Sequence, residues 1–386
     1  IRGGDPSTSA ATFGAAPLFG EWARALREAG ITRVTGRIIG DDDVFDDRMR
    51  GSGWAWDYLQ YGYAAPVSGL QYAENVVVLR IQPGAAAGAP ATVLASPPGH
   101  GLDVQVSVAT SEPGKSASIG LSREPGSSTL TVSGTVPAGG PVAIRTASVE
   151  NPTLFFAEAL RLALIDAGIR VDGAAVDADV IEPTTSTGPR RTIATHHSAP
   201  LSELGAYFMK VSQNLYGETL LKALGRADGG SGSAASGKTA VAGVLASWGI
   251  PPGSYAIADG SGLSRYNEIS AWLVTTVLRK MYEDERHRGW FLAALPVAGH
   301  DGTLDERMIG TELQRMVQAK TGTIANARAL SGCLTAPSGE RYIFSIIANN
   351  FLRPSSEVDA IAEAALRRVL REAASAAPPE PVPARR

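Results

Sequence analysis

The chain has 386 residues, of which 44% are hydrophobic and 19% are charged, and its formal net charge at pH 7 is −3. This length exceeds the size at which a single hydrophobic core usually stops growing, so we expect two or more domains. Because the charge is nearly balanced and no basic run occurs, nucleic acid is not a predicted partner. The single cysteine, Cys333, excludes an internal disulfide and every zinc site built on paired cysteines.

Helical spacing of apolar residues predicts a helix over residues 18–30, and alternation predicts a strand over 33–39. From residue 75 to about 146, short alternating runs separated by Gly, Pro and Ser indicate a small all-β module. A second helix is predicted over 153–167. A stretch rich in Thr, Pro and Arg follows at 182–191 and has the composition of a linker.

The second half of the chain is predicted to be mostly helical before it turns to strands. The clearest predicted helices cover 204–224, 239–248 and 269–283. Three strand-like runs follow at hairpin spacing, which favours antiparallel pairing, and they cover 315–320, 328–334 and 342–348. A final helix over 357–371 precedes a tail that cannot bury enough surface to become ordered. This order of elements predicts an α+β domain that the chain enters after an inserted β-rich module.

No stretch approaches the roughly 18 consecutive apolar residues of a membrane span, so no transmembrane segment is predicted. The chain opens with Ile1 rather than with a methionine and a charged leader. We therefore expect that any export signal has been removed.

Two short motifs could carry chemistry. Residues 212–214 read Ser-Gln-Asn directly before a helical run, and residues 320–323 read Lys-Thr-Gly-Thr at the end of the first of the three strands. Each motif alone is weak, because Ser212 could simply be a helix N-cap. Serine acyl-transfer enzymes that recognise penicillin combine a Ser-x-x-Lys, a Ser-x-Asn and a Lys-Thr-Gly, and the last two occur here in that order.

Longer stretches around these motifs resemble the D-alanyl-D-alanine carboxypeptidase/endopeptidase family, the class C low-molecular-mass penicillin-binding proteins. The matching stretches are Gly3–Pro6, Gly53–Asp57, Met209–Glu218, Asp259–Arg265 and Leu295–Leu304. The resemblance extends over nearly the whole chain. It implies a penicillin-binding, serine β-lactamase-like fold, in which an antiparallel sheet is flanked by helices and the domain is interrupted by inserted β-rich domains.

The resemblance also implies a division into domains. Residues 1–74 and 148–195 would form an outer inserted domain, 75–147 an inner inserted β-rich domain, 196–372 the catalytic domain, and 373–386 a disordered tail. The implied partners are peptidoglycan stem peptides, with β-lactam antibiotics as covalent inhibitors, and no cofactor is expected. The implied location is extracytoplasmic, either periplasmic or secreted and associated with the cell wall.

The same resemblance assigns roles in an acyl-enzyme mechanism. Ser212 would relay a proton to the leaving D-alanine, and Asn214 would hold the penultimate amide. Lys320 would supply fixed positive charge near the site. On this assignment the two motifs form opposite walls of one pocket built for a peptide that ends in D-alanine.

The residues after Lys320 are expected to recognise the end of the substrate. The hydroxyls of Thr321 and Thr323 would bind its terminal carboxylate. The backbone N–H of Thr323 lies next to Gly322, where no side chain blocks approach, and is expected to be an oxyanion donor.

An aromatic and acidic cluster of Trp54, Asp57 and Tyr63 is assigned by resemblance to reading the stem-peptide side chain. Asp57 would pair with the free ammonium of that side chain. The alternative is structural, namely a buried tryptophan pair at a domain interface with an exposed aspartate. The sequence leaves both interpretations open.

The chain departs from the family in one important respect. Its six lysines are preceded, three places earlier, by Glu112, Tyr207, Thr219, Ala235, Val277 and Val317. The Ser-x-x-Lys that supplies the nucleophile and the acylation base is therefore not in these 386 residues. Because the family carries it ahead of the Gly-Gly-Asp-Pro motif, we expect truncation rather than decay. A catalytically inactive relative that binds the cell wall is the alternative, and carboxypeptidase against endopeptidase activity is left open.

Four further signals carry less weight. Residues 232–239 match the P-loop pattern, which makes nucleotide binding a remote alternative, but 225–231 contain no strand to support a phosphate loop. We predict a Gly/Ser loop and the N-cap of a helix that starts near 239. The acidic turn at 41–47 lacks the glycine and distal glutamate of an EF-hand, and the five histidines lack zinc-ligand spacing, so no metal is predicted. His300 beside Asp301 suggests a triad, which the family resemblance argues against.

Overall fold

The computed structural model describes residues 17–181 and 190–376. Contacts divide the chain into two compact units. The first comprises Ile1–Ser198, Asn214–Val241 and Ala258–Tyr266, and the second comprises Ala199–Gln213, Ala242–Ile257 and Asn267–Arg386. The Gly3–Pro6 motif, residues 182–189 of the predicted linker and residues 377–386 of the predicted tail lie outside the described residues. The predicted domain boundaries stay predictions.

The described helices and strands are mixed along the chain. In order they are α1 (Pro17–Glu28), β1 (Arg33–Val34), β2 (Ile38–Gly40), β3 (Val76–Gln82), β4 (Thr92–Ser96), β5 (Asp103–Ser111), β6 (Ser118–Ser122), β7 (Thr129–Pro137), β8 (Ala143–Ser148), α2 (Pro152–Asp166), β9 (Arg170–Val171), β10 (Ala175–Asp177), α3 (Leu201–Val211), α4 (Asn214–Ala227), α5 (Ala234–Ser247), α6 (Ala271–Glu283), α7 (Arg288–Ala294), β11 (Val317–Ile324), β12 (Ala327–Thr335), β13 (Arg341–Asn349) and α8 (Ser355–Ala376).

In the first unit, α1 and α2 pack through a small apolar cluster that contains Phe19, Ala159 and Ala163. Helix α2 begins sharply because Asn151 caps it, accepting a hydrogen bond from the Leu154 N–H. The single strand predicted over 33–39 was wrong. It is two short strands, β1 and β2, which pair in parallel with β9 and β10.

The region between α1 and α2 holds two three-stranded sheets. Strands β4, β3 and β8 pair antiparallel, whereas in the second sheet β7 pairs in parallel with β5 and antiparallel with β6. Alternate residues of these strands share one core, which includes Val77, Leu79, Leu130 and Val132, all fully buried. The period-two alternation in the sequence is the cause, since it places one face of each strand against that core.

In the second unit, β11, β12 and β13 form an antiparallel sheet. Helix α8 contacts β12 and helix α6 contacts β13. Buried residues of the sheet and of α8, among them Leu330, Leu334, Leu366 and Leu370, form the core of this layer. The sheet was predicted, but β11 continues four residues beyond its predicted end. Residues 320–323 therefore lie within a strand that is hydrogen-bonded to β12.

The helix predicted over 204–224 is broken into α3 and α4. The break lies at Ser212, which has left-handed backbone angles of φ 60° and ψ 47° and caps the end of α3. Ser212 is thus a C-cap rather than the N-cap considered from the sequence. A left-handed conformation costs a non-glycine residue roughly 1–2 kcal/mol, and such strain is often found at functional sites.

Two further helix boundaries differ from the sequence prediction. Helix α5 begins at Ala234 rather than near 239, and α8 continues to Ala376, five residues past its predicted end. Over 17–181 and 190–376, no helix is both long and apolar enough to cross a lipid bilayer.

Candidate active site

Ser212 and Lys320, one from each sequence motif and both in the second unit, are joined by a direct hydrogen bond. Lys320, near the middle of β11, donates from Nζ to the Ser212 Oγ at 2.6 Å, although the two residues are 108 positions apart. The same Nζ donates to the Thr321 carbonyl at 2.8 Å. The left-handed turn at Ser212 ends α3, so that its hydroxyl is presented to the strand.

The environment of Lys320 is unusual for a lysine. Its hydrogen-bond partners in the described chain are two neutral oxygens, and no carboxylate forms an ion pair with it. Burial disfavours the charged form and lowers the pKa of Lys320 to about 8. At neutral pH the ammonium is still the main form, so the site holds a cation that has no anionic partner among residues 17–181 and 190–376.

A loop, residues 295–304, braces the end of α3 that carries Ser212. The Lys210 ammonium donates to both carboxylate oxygens of Asp301 at 2.7 Å and to the Leu295 carbonyl at 2.6 Å. Gly302, with a φ of +60°, lies against the Lys210 carbonyl, and a Cβ there would come within 2.7 Å of that oxygen. The close approach therefore requires glycine. Since Asp301 binds Lys210, the His300–Asp301 triad is not formed.

The two threonines of residues 320–323 have separate side-chain partners. The Thr321 Oγ1 donates to the Thr303 Oγ1 at 2.8 Å. The Thr323 Oγ1 accepts a hydrogen bond from Arg328 on β12. A Cβ on Gly322 would lie 3.3 Å from the Cβ of Ala329, so even a small side chain would be tight at this position.

In the first unit, Asn214 and Tyr63 are neighbours. The Asn214 Nδ2 donates to the Tyr63 carbonyl at 2.9 Å. The Tyr63 ring stacks on Tyr61, with centroids 5.4 Å apart and planes 11° from parallel, and meets the edge of Tyr58. Burial, with smaller contributions from the nearby tyrosines and Asp57, raises the pKa of Tyr63 to about 12. Its hydroxyl therefore remains protonated and can donate a hydrogen bond.

Trp54 is anchored by a buried carboxylate. Its Nε1 donates to the Asp259 Oδ2 at 2.9 Å. Asp259 is 4% exposed and also accepts from the N–H groups of Gly262 and Ser264. The alternative of a buried tryptophan pair was wrong, because Trp56 is 62% exposed.

The chain matches the sequence profile of the D-Ala-D-Ala carboxypeptidase 3 (S13) family over residues 1–372. It belongs to that family. A D-alanyl-D-alanine carboxypeptidase of Actinomadura sp. (strain R39) is 31% identical over 364 residues, which are 91% of this chain and 65% of the relative. The carboxypeptidase DacB of Haemophilus influenzae is 27% identical over 333 residues, 84% of this chain and 67% of the relative. The chain thus spans about two thirds of the length of these relatives.

The fold comparison agrees with the family. Penicillin-binding protein 4 (dacB) from Haemophilus influenzae superposes with a TM-score of 0.74 at 24% identity, covering 88% of this chain and 74% of the other. The same protein in complex with a β-lactam gives a TM-score of 0.69 at 22% identity, covering 88% and 73%. The predicted family resemblance and the predicted α+β penicillin-binding fold are both confirmed.

A second buried carboxylate of this S13 chain, that of Glu218, was not predicted from the sequence. Glu218, one turn after Asn214 on α4, is 4% exposed and accepts from the N–H groups of Gly260 and Ser261 at 2.9 and 2.8 Å. Burial is the main cause that raises the pKa of this carboxyl. The backbones of Gly217 and Gly260 touch, and a Cβ on either would lie within 2.6 Å of the opposite carbonyl oxygen.

These supporting residues differ in how visible they were in the sequence. Lys210, Glu218, Asp259 and Asp301 stand inside the stretches that resemble the family, but nothing in their spacing shows which atoms they bind. Arg328 lies outside those stretches, and no sequence signal pointed to it.

The structure also shows where the P-loop match and the acidic turn lie. Lys238 and Thr239 lie inside α5, and a helix and turn precede them, so the P-loop interpretation is contradicted within the described residues. In the acidic turn, Asp42 accepts hydrogen bonds from Ser68 and Thr153, and its carboxylate lies with those of Asp177 and Asp179 within 4.8 Å. These oxygens are therefore partly engaged by protein donors.

Proposed function

We propose that the full-length protein containing this chain is a serine-type D-Ala-D-Ala carboxypeptidase or endopeptidase that acts on peptidoglycan stem peptides through an acyl-enzyme. The observation that carries this proposal is the Lys320 Nζ to Ser212 Oγ hydrogen bond of 2.6 Å, in a chain of the S13 family.

The reacting serine is proposed to lie outside these 386 residues, because no serine stands three places before any of the six lysines. Its oxygen would attack the carbonyl carbon of the penultimate D-alanine and break the amide bond. The lysine of the proposed Ser-x-x-Lys takes the proton of the attacking serine, and Ser212 relays that proton to the departing amine. Lys320 holds the Ser212 oxygen in place by donating to it. Water then hydrolyses the ester and releases the shortened peptide.

Residues for substrate recognition are part of the proposal. Lys320, which has no carboxylate partner in the part of the chain that the structure describes, attracts the terminal carboxylate of the substrate, and the Thr321 and Thr323 hydroxyls bind it. Asn214 holds the penultimate amide. Trp54, Asp57 and Tyr63 are proposed to face the stem-peptide side chain, with Tyr63 as a protonated donor and Asp57 as the partner of an ammonium.

β-Lactams would acylate the same serine, because they carry both a reactive carbonyl and a carboxylate. An enzyme with this substrate acts outside the cytoplasm, so a periplasmic or secreted location beside the cell wall is part of the proposal.

The experiment is to incubate the full-length protein with diacetyl-L-Lys-D-Ala-D-Ala and, separately, with cross-linked muropeptide dimers, and to measure released D-alanine and monomers. Release of D-alanine or of monomers supports the proposal and decides between the two activities. Binding of the peptide without turnover would favour the inactive wall-binding alternative, which the missing Ser-x-x-Lys keeps in consideration.

A further inference from the structure

Arg328 stands directly beside the Thr323 hydroxyl. It occupies β12 opposite Thr323 of β11, and directly paired residues of an antiparallel sheet project from the same face. Its Nη1 donates to the Thr323 Oγ1. A threonine hydroxyl has one proton, and when its oxygen accepts from a cation that proton is free to point elsewhere. Donation from a charged group also makes the hydroxyl a better donor in turn.

The guanidinium is held rigidly from its other side. Its Nε and Nη2 both donate to the carboxylate of Asp359 on α8, with the Nε contact at 3.3 Å. Asp359 also lies 3.4 Å from Arg307, which in turn pairs with Glu363 at 2.9 Å. The side chains of Arg328 and Asp359 are each only 21% exposed. This fork-to-carboxylate pairing leaves Nη1 as the part of Arg328 that faces Thr323.

We propose that Arg328, oriented by Asp359, is a positioning residue that sets the specificity of this site for a free terminal carboxylate by holding the Thr323 hydroxyl with its proton available to that carboxylate. The inference rests on the proposed function. It adds a residue from a second strand and an anchor from the C-terminal helix to the recognition of the substrate's end.

The test compares two substrates, diacetyl-L-Lys-D-Ala-D-Ala and its C-terminal amide, in the full-length protein. Arg328→Ala is expected to lower kcat/KM for the carboxylate substrate roughly tenfold or more, mainly through KM, since a hydrogen bond to a charged group is being weakened. Turnover of the amide should stay within about twofold, because the amide carries no charge for Thr323 to bind. Arg328→Lys should restore part of the preference.

Arg307→Ala is the matched control, because Arg307 joins the same ion-pair network but does not contact Thr323. It should leave the ratio of the two substrates unchanged. Asp359→Asn, which frees the guanidinium without deleting it, should lower the carboxylate preference to a smaller extent than Arg328→Ala. This variant also gives a result if Arg328→Ala fails to fold.

An unchanged carboxylate-to-amide ratio in folded Arg328→Ala and Asp359→Asn, with the unsubstituted protein active, would overturn this inference alone. An equal loss on both substrates, or the same loss in Arg307→Ala, would show a merely structural role and would also overturn it. If the unsubstituted protein released no D-alanine, the proposed function itself would fall, and this inference with it.

Discussion

Two lysines, Lys222 buried and Lys320 partly buried, show how differently the two units use charge. Lys222, on α4 of the first unit, is 3% exposed, lies 2.7 Å from the Asp46 carboxylate and sits over the Phe45 ring at 5.7 Å. Lys320, on β11 of the second unit, donates only to neutral oxygens among the described residues, and burial lowers its pKa to about 8.

A buried charge that is paired contributes to the fold, whereas a buried charge without a counter-ion costs stability unless something else binds it. Lys222 is neutralised by the protein itself. Lys320 is free to be neutralised by a ligand, and a substrate carboxylate or a β-lactam carboxylate has the complementary charge. The comparison therefore predicts a structural role for Lys222 and a functional role for Lys320 without reference to any motif.

The largest expected effect is on turnover in Lys320→Ala. We expect kcat/KM for diacetyl-L-Lys-D-Ala-D-Ala to fall about 100-fold, because fixed charges and hydrogen-bond donors at such sites contribute a few kcal/mol. The melting temperature should not fall, since the variant removes a partly buried cation that has no counter-ion among the described residues. Steady-state kinetics and thermal unfolding of the full-length protein check both parts, and unchanged turnover would remove Lys320 from the site.

The opposite result is expected at Lys222. Lys222→Met should lower the free energy of unfolding by about 2 kcal/mol, because it leaves Asp46 without its partner, although Asp46 can still reach water. Asp46→Asn should cost more, about 3–5 kcal/mol, since it leaves a fully buried ammonium unpaired. Denaturant unfolding measures these values. Activity per folded molecule should stay within about twofold. A larger loss would show that Lys222 serves the reaction as well as the fold.

The pH dependence of substrate binding sharpens the assignment of Lys320. Because its pKa in the folded protein is lowered to about 8, the ammonium is lost as the pH rises through that value. KM for the carboxylate peptide should therefore rise several-fold between about pH 7 and pH 9. Lys320→Arg stays charged over this range, so its KM, whatever its absolute value, should remain flat. A rise of equal size in both proteins would assign the titration to another group.

A smaller effect is expected at the brace behind Ser212. Asp301→Asn removes the partly exposed ion pair with Lys210 but keeps an oxygen that can accept from it. We expect kcat to fall about threefold with little change in KM, since an exposed pair contributes at most about 1 kcal/mol. Arg353→Ala, which removes an exposed ion pair with Glu357 of α8, is the matched control and should change neither constant.

Much of the fold followed from local patterns. Period-two alternation identified the β-rich region and the three final strands, and the family motifs identified the penicillin-binding fold. The predicted helix over 204–224 failed because apolar spacing continues through Ser212, and nothing in the spacing shows that this residue adopts left-handed angles. The strand over 33–39 failed for a related reason, since short parallel strands depend on partners more than 100 residues away.

The candidate site was predictable in its types of residue but not in its contacts. Ser212, Asn214 and the Lys320–Thr323 stretch came from motifs, and the structure brings Ser212 and Lys320 within hydrogen-bond distance. The supporting contacts, such as Glu218 with the Gly260 and Ser261 amides, arise only when distant segments pack together. Arg328 had no signal at all, because its importance comes from strand register rather than from its neighbours in sequence.

The rate of acylation by benzylpenicillin, followed by intact-protein mass spectrometry, tests the account most directly. The full-length protein should gain one adduct on a serine outside residues 1–386, about 100-fold more slowly in Lys320→Ala and at the unsubstituted rate in Lys222→Met. Equal rates in the Lys320→Ala variant and the unsubstituted protein would contradict the claim that the unpaired lysine of β11 serves the reaction.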